Sequence, residues 1–114
     1  MQLNPKHQSW YWFGPTMYHF QRREYEDALT TALRINMPGF YMNHAILAST
    51  YGQLGKKLEG TESVRHLIDL YPDFDKNARD EFLKWNPPPR FLEDFLEGLR
   101  KAGLDIPDEP AAAD

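Results

Sequence analysis

Apolar, small and aromatic positions recur at spacings of three and four along two neighbouring segments in the middle of the chain. The first set is His44, Leu47, Ala48, Tyr51 and Leu54, and the second is Leu58, Val64, Leu67, Ile68 and Tyr71. This spacing places the first set on one face of a helix, and we interpret the second set as the apolar stripe of a second helix. Gly55 lies between the sets, where a left-handed residue would end the first helix, and Pro72 ends the second. The pattern predicts a helical hairpin that needs neighbouring elements to cover its apolar faces.

The rest of the chain predicts four more helices and no strand, which makes the fold class all-α. Their expected bounds are residues 7–22, 24–35, 76–85 and 90–102. Gly14 and Pro15 are expected to interrupt the first of them, because an interior proline removes a backbone hydrogen bond and clashes with the preceding turn. Asp73 and Asp75 are candidate N-caps of the fifth helix. The inward face of that helix is expected to be Ala78, Phe82 and Trp85.

The last predicted helix has one apolar face and one charged face. Its inward residues are Leu92, Phe95, Leu96 and Leu99, and its polar residues are Glu93, Asp94, Glu97, Arg100 and Lys101. Three prolines at residues 87–89 form a stiff joint before it, and Gly103 ends it. A repeat array needs an atypical last unit with a polar outer face, so we interpret residues 75–103 as a C-terminal cap. Residues 105–114 are expected to form a frayed tail.

The spacing of residues 41–74 resembles the tetratricopeptide repeat, a helix pair of 34 residues that closes on a proline. With Pro72 as that proline, Tyr51 stands on the family's tyrosine, and Gly55 on its turn glycine. Gly60 stands on the small residue that lets the second helix approach the first. The altered positions are His44 for tryptophan, Leu47 and Ala48 for Leu-Gly, Val64 for an aromatic residue and Leu67 for a small one.

A more degenerate copy of the pattern precedes this repeat at residues 7–38. Tyr25 and Ala28 stand in the usual places of the second helix, which puts Trp12 on the repeat's tryptophan and His19 on its tyrosine. The resemblance implies one tetratricopeptide-like α-α superhelix over residues 1–104. The connector INMPGF, the closure YPDF and the C-terminal ending also resemble the C-terminal segments of bacterial multidomain proteins. In those proteins such arrays follow an adenylate/guanylate cyclase or a transcriptional-regulator domain.

Aromatic residues crowd the segment from residue 10 to residue 20, on the first helix of the degenerate copy. In the tetratricopeptide family, this helix and its counterpart in the next repeat line a concave groove. The partner-binding groove that the resemblance implies is lined by Trp10, Phe13, Met17, Phe20, Met42, Ser49 and Gln53, with Ala45 and Gly52 in the same wall. Such a wall suits an apolar helix or an extended peptide. A second interpretation is that an upstream repeat or a second copy of the chain covers these residues.

The composition excludes several classes of function. The chain has 114 residues, enough for one domain, and its net charge of −4 comes without a basic cluster, which argues against nucleic-acid binding. No apolar run approaches 18 residues, and the N-terminus lacks an apolar signal region, so we expect neither a membrane span nor export. The absence of cysteine excludes disulfides and fits a reducing compartment, which indicates a cytoplasmic location.

Residues that could carry catalysis are scattered along the sequence. The four histidines are His7, His19, His44 and His66, and none is spaced three or four residues from another. His19 and His44 fall on core positions of the repeat, and no serine lies in a nucleophile elbow. We therefore expect no catalytic residue, no metal site and no cofactor.

These observations favour a non-catalytic protein–protein interaction scaffold, acting as an interaction or regulatory module of a bacterial signalling protein. The expected partner is a protein or a peptide. Two alternatives stay open. One is a ligand- or peptide-responsive sensor module that controls a fused adenylate cyclase or regulator. The other is an obligate oligomerisation module, in which the chain forms a homodimer through its N-terminal aromatic helix.

Overall fold

Six α-helices follow one another along residues 11–106, the part of the chain that the computed structural model describes. No strand occurs within that range, so the predicted all-α fold is confirmed. The helices are α1 (Phe13–Gln21), α2 (Tyr25–Ala32), α3 (Tyr41–Leu54), α4 (Lys57–Leu70), α5 (Phe74–Leu83) and α6 (Pro89–Lys101). None of these described helices is long and apolar enough to cross a lipid bilayer.

The helix ends follow from the glycines and prolines of the sequence. Gly55 adopts a left-handed φ of +76° after α3, as predicted, and Gly103 has a φ of +109° after α6. The expected break at Gly14 and Pro15 is wrong, because α1 runs through both residues from Phe13. Pro15 lies in the first turn of α1, where its missing N–H has no helical partner to lose. Residues 7–10 of the predicted first helix lie outside the described chain.

The helix α3 is central to the fold, because α2, α4 and α6 all pack against it. A helix covered on three sides has no single apolar stripe. Its buried residues are Met42, Asn43, Ala45, Ile46, Ala48, Ser49, Thr50 and Gly52. The face predicted from the sequence, which includes Leu47 and Tyr51, is only half-buried apart from Ala48. The side with Ser49 and Gly52 is fully buried because it lies against α6.

Four phenylalanines form the centre of the core where α1, α5 and α6 meet. The rings of Phe82 and Phe95 are stacked, with their centroids 3.9 Å apart. Phe20 of α1 lies 5.6 Å from the ring of Phe91 and 6.0 Å from that of Phe95, measured between centroids. All four side chains are buried, and buried aromatic rings remove large apolar areas from water. The last helix therefore contributes to the core in addition to ending the helical array.

Two apolar residues that we predicted to face inward are exposed. Leu58 is 85% exposed, because it lies about half a turn round α4 from the buried Leu67. Trp85 is 48% exposed, because α5 ends at Leu83 and the chain turns there. Its ring still stacks on Phe13, with the two centroids 6.3 Å apart.

Two features that we predicted to face solvent are buried. Asp94, which we placed on the polar face of the last helix, is buried because it lies three residues after Phe91 and four before Gly98, on the inward face, where its carboxylate forms an ion pair with Arg23. Ile106 belongs to the predicted frayed tail, yet it is buried, and its carbonyl oxygen accepts a hydrogen bond from Arg100 Nε at 3.0 Å. The packed chain therefore continues to Ile106, and residues 107–114 lie outside the described part.

Candidate functional site

The residues predicted to line the partner-binding groove lie in two places. Trp10 lies outside the described residues. Phe13, Met17 and Met42 line an apolar cavity of about 10 Å³, together with Ile46, Phe82 and Trp85. A cavity of that volume holds at most one water molecule, and its apolar lining gives such a water no partners. The remaining predicted residues, Phe20, Ser49 and Gln53, contact α6.

The surface that receives α6 is named here the α6 groove. It consists of Phe20, Arg23, Ser49, Gly52, Gln53 and Thr61. The chain's own last helix fills this groove. Three of the predicted groove residues, Phe20, Ser49 and Gln53, therefore lie on the surface against which α6 packs.

Two glycines let α3 and α6 cross at backbone contact. A Cβ atom at Gly52 would lie 2.0 Å from the carbonyl oxygen of Gly98, and a Cβ atom at Gly98 would lie 2.3 Å from the carbonyl oxygen of Ser49. Both distances are shorter than any real Cβ contact. A glycine inside a helix costs about 1 kcal/mol relative to alanine, so each position carries that cost for the sake of the close crossing.

The groove side chains recognise the backbone of α6. Ser49 Oγ donates to the carbonyl oxygen of Phe95 at 2.7 Å, and Gln53 Nε2 donates to the carbonyl oxygen of Asp94 at 2.8 Å. A helical carbonyl keeps a second lone pair after it accepts its intrahelical hydrogen bond. Gly98 has no side chain to cover the carbonyls of the preceding turn, and this leaves those lone pairs within reach. The groove thus binds a helix at the turn that precedes a small residue.

An arginine in the turn between α1 and α2 holds α6 from a second direction. Arg23 Nε and Nη2 donate to Oδ2 and Oδ1 of Asp94, at 3.0 and 3.1 Å. Paired bonds of this kind fix the orientation of the carboxylate as well as its position. Arg23 has a φ of +63°, a conformation uncommon for residues other than glycine, and the fold retains it at the residue that makes this ion pair.

The C-terminal end of α6 is anchored on α4 and α3. Thr61 Oγ1 donates to the carbonyl oxygen of Ala102 at 3.3 Å, and Lys101 Nζ donates to Oε1 of Gln53 at 3.1 Å. We predicted that Gly60 allows the second helix of the repeat to approach the first. A Cβ atom at Gly60 would lie 3.4 Å from the Cβ of Tyr51, an ordinary contact, but 3.0 Å from the Cβ of Ala102. The end of α6 is therefore the tighter neighbour of Gly60.

A buried carboxylate joins α3, α5 and the end of α4 outside the α6 groove. Glu81 accepts hydrogen bonds from the hydroxyl groups of Tyr41 and Tyr71, both at 2.7 Å, and from Lys84 Nζ at 3.2 Å. The hydrogen bonds from the two tyrosines hold the pKa of Glu81 below its usual value. Burial, followed by the hydrogen bond to Glu81, raises the pKa of Tyr41 to about 12. These hydrogen bonds tie α3 and the end of α4 to α5.

Replacement of this carboxylate by an amide is expected to destabilise the fold in a pH-dependent way. Because Glu81 has a lowered pKa in the folded state, its contribution is present above about pH 4.5 and is lost as the pH falls through the lowered value. At pH 7 we expect Glu81→Gln to reduce the free energy of unfolding by about 1.5–3 kcal/mol, the range for hydrogen bonds to a charged group. Urea denaturation at neutral and acidic pH measures the difference, which should shrink at the acidic end.

Asp80→Asn is the matched control, because Asp80 is exposed and precedes Glu81 in the same helix. It should change the free energy of unfolding by less than about 0.5 kcal/mol. An equal loss for Glu81→Gln at both pH values would contradict a role of the ionised carboxylate. At alkaline pH the stability depends on pH in the opposite direction, because the pKa of Tyr41 is raised. The stabilisation from the protonated Tyr41 hydroxyl is complete below about pH 10 and is lost as the pH rises towards about 12.

The described histidines are engaged in local contacts. His44 Nε2 lies 2.6 Å from the carbonyl oxygen of Pro38, and the imidazole rings of His44 and His66 are stacked with centroids 5.3 Å apart. Among residues 11–106, one group of possible metal ligands lies together, namely His19, Glu24 and Asp27. His19 Nδ1 is 2.8 Å from Glu24 Oε1, and Arg22 Nε donates to Oε2 at 3.0 Å. The arginine already neutralises this carboxylate, so we assign no metal to the group.

Three residues of the α6 interaction were missed or misjudged from the sequence. Gly98 is a glycine inside an otherwise strongly amphipathic helix, and because glycine there costs about 1 kcal/mol relative to alanine, it signals a close approach of another element. Asp94 precedes Gly98 by four residues and follows Phe91 by three, so it lies on the buried face by helical geometry. Arg23 carries no sequence signal, because nothing local connects it with a residue so distant in the chain.

Comparisons with protein-family models, with curated proteins and with solved structures give no match. The tetratricopeptide resemblance of residues 41–74 therefore stays a prediction from the sequence.

Proposed function

We propose that this chain is a non-catalytic protein–protein interaction module whose α6 groove binds one amphipathic helix. The observation that carries the proposal is the pair of hydrogen bonds from Ser49 and Gln53 to the backbone carbonyls of α6. Binding of an apolar helix face in a groove is a recurrent mode of peptide recognition. In the isolated chain, α6 occupies the place that a partner helix would take.

The groove favours a particular kind of helix. Contact between backbones requires glycine at the crossing, and Arg23 requires a carboxylate four residues before that glycine. Phe20 and its neighbours in the core favour aromatic residues at positions equivalent to Phe91 and Phe95. A larger residue at the crossing would separate the helices and break the hydrogen bonds to the backbone. Such steric exclusion gives the groove specificity in addition to affinity.

The tetratricopeptide-like repeat, the cytoplasmic location and the role in a bacterial signalling protein belong to the same proposal. Their support is the spacing of residues 41–74, the absence of cysteine and the resemblance of the C-terminal ending. A module closed by its own helix also suits a regulatory role. A tethered helix competes at an effective concentration that is set by the length and stiffness of its linker, so a partner helix binds only when it outcompetes α6.

A labelled peptide of residues 88–106 is expected to bind the full-length Gly98→Leu chain. Leucine at position 98 cannot occupy the crossing, so the chain's own helix leaves the groove open. Fluorescence anisotropy measures the affinity of the peptide. If the variant alone has reduced helicity, the same peptide should restore it, and circular dichroism then reports the binding.

The control peptide carries Gly98→Ala and differs by one methyl group. Alanine favours the helical state, so weaker binding of this peptide cannot come from lower helicity. We expect an affinity at least about tenfold lower, which corresponds to 1.4 kcal/mol. Equal binding of both peptides, or no saturable binding of either, would refute a groove that selects glycine at the crossing.

A further inference from the structure

We infer that the partner helix is α6 of a second copy, so that two chains exchange their last helices through the joint between α5 and α6. The inference rests on the proposed function, because it names the occupant of the same groove. Exchange of a terminal element between identical chains reforms every contact of the closed chain, now between two molecules. The contacts of Gly98 and Asp94 would be kept without change.

The joint before α6 favours such an exchange. Asn86 has a φ of +55°. Asparagine enters the left-handed region more readily than most residues, but the proline that follows it favours extended backbone at this position, so the observed conformation is disfavoured. Three prolines follow at residues 87–89, and Pro88 has the extended φ and ψ angles of −59° and 148°. Short joints under strain promote domain swapping. Extension of the chain at Asn86 would relieve the positive φ and continue the stiff proline segment away from α5.

The last helix also has few backbone contacts that tie it to its own neighbour in sequence. It packs much more closely on α3 than on α5. Its links to α5 are side-chain contacts, such as the stacking of Phe95 on Phe82 and the ion pair of Glu93 with Arg79. A helix supplied by another chain can make these contacts equally well. Only the joint and the entropy of association therefore distinguish the exchanged dimer from two closed chains.

A second copy is the occupant for which the described chain itself supplies the matching sequence. The groove needs an aromatic face, a carboxylate and a glycine in one order, and residues 91–98 contain them in that order. The ion pair of Arg23 with Asp94 adds charge complementarity at the same contact. The exchanged interface is continuous with the one inside the closed chain, and no other surface needs to be invoked.

Mixing two full-length variants tests the exchange. Gly52→Leu blocks the groove and leaves α6 intact, whereas Gly98→Leu leaves the groove intact and blocks α6. Neither variant can seat its own last helix. When they are denatured and refolded together, an exchanged pair contains one intact groove with one intact α6. We expect light scattering to show at least about tenfold more dimer in the mixture than in either variant alone, with recovered helicity.

The control replaces the Gly98→Leu chain by a Gly52→Leu/Gly98→Leu double variant, which leaves no intact groove in the mixture. This control mixture should show neither the increase in dimer nor the recovered helicity. A mixture of the two single variants that remains like its components would overturn the exchange. If the peptide of residues 88–106 still binds in that case, the proposed function survives. If the peptide does not bind, the proposed function and the exchange both fail.

In the natural sequence background, Asn86→Gly relieves the strained φ. This variant should lower the dimer fraction that forms on refolding at high concentration several-fold.

Discussion

Alanine at position 52 is expected to destabilise the fold by about 3 kcal/mol, the upper part of the range for added atoms in a packed core. The new Cβ atom would lie 2.0 Å from the carbonyl oxygen of Gly98, a backbone atom that cannot rotate away. The two helices must separate, which lengthens the hydrogen bonds that Ser49 and Gln53 donate to α6. Helix propensity opposes the effect, because alanine in a helix is favoured over glycine by about 1 kcal/mol. A net loss of stability in Gly52→Ala would therefore come from the steric clash between the two helices, because helix propensity acts in the opposite direction.

Gly39→Ala is the control for this substitution. A Cβ atom at Gly39 meets nothing within 4 Å, and its φ is not positive, so alanine fits without strain. The control should be neutral or stabilise by up to about 1 kcal/mol, through a reduced entropy of the unfolded chain. Urea denaturation followed by circular dichroism gives both values. A Gly52→Ala chain as stable as the Gly39→Ala chain would mean that α3 and α6 do not cross at backbone contact.

The helices of this fold could be predicted because local signals decide them. Gly55 and Pro72 end α3 and α4 by their own backbone preferences, whatever packs nearby. The wrongly predicted helix break at Pro15 has a local cause as well, since a proline is tolerated in the first turn of a helix and breaks the helix only further inside. Leu58 and Leu67 are chemically identical, and only their angular separation on α4 assigns one to solvent and the other to the core.

The occupant of the groove could not be predicted in this way. Spacing shows that Ser49 and Gly52 lie on one side of α3, but it does not show which of several apolar faces covers that side. The pairing of Ser49 with Phe95 depends on where the chain turns after residue 86, a property of the whole fold. Arg23 and Asp94 lie even further apart along the chain, at a separation of 71 residues. Glycines at positions 52 and 98, each costly in a helix, were the one available sign of a close crossing.

Truncation of the central aromatic ring of α6 is expected to destabilise the fold more than the alanine substitution at Gly52 does. Phe95 is 1% exposed, and its ring stacks on Phe82 and contacts Phe20. Phe95→Ala should reduce the free energy of unfolding by about 3–5 kcal/mol, because it removes buried apolar area and leaves a cavity between three helices. Domains of this size are stable by about 5–15 kcal/mol, so the variant is expected to lie close to unfolding. Urea denaturation monitored by circular dichroism measures the loss.

The control is Leu58→Ala, which truncates an apolar side chain in a helix where nothing covers it, and it should change stability by less than about 0.5 kcal/mol. The shape of the unfolding curve matters as much as its midpoint. Two results together would place α6 in the same cooperative unit as α3. They are a single unfolding transition in the unsubstituted chain and the full expected loss of unfolding free energy in Phe95→Ala. Exchange between copies would then require global unfolding and would be frequent only on refolding. A small loss and a separate early transition would instead mean that α6 leaves the groove while the other helices stay folded, and a partner helix could enter the native chain directly.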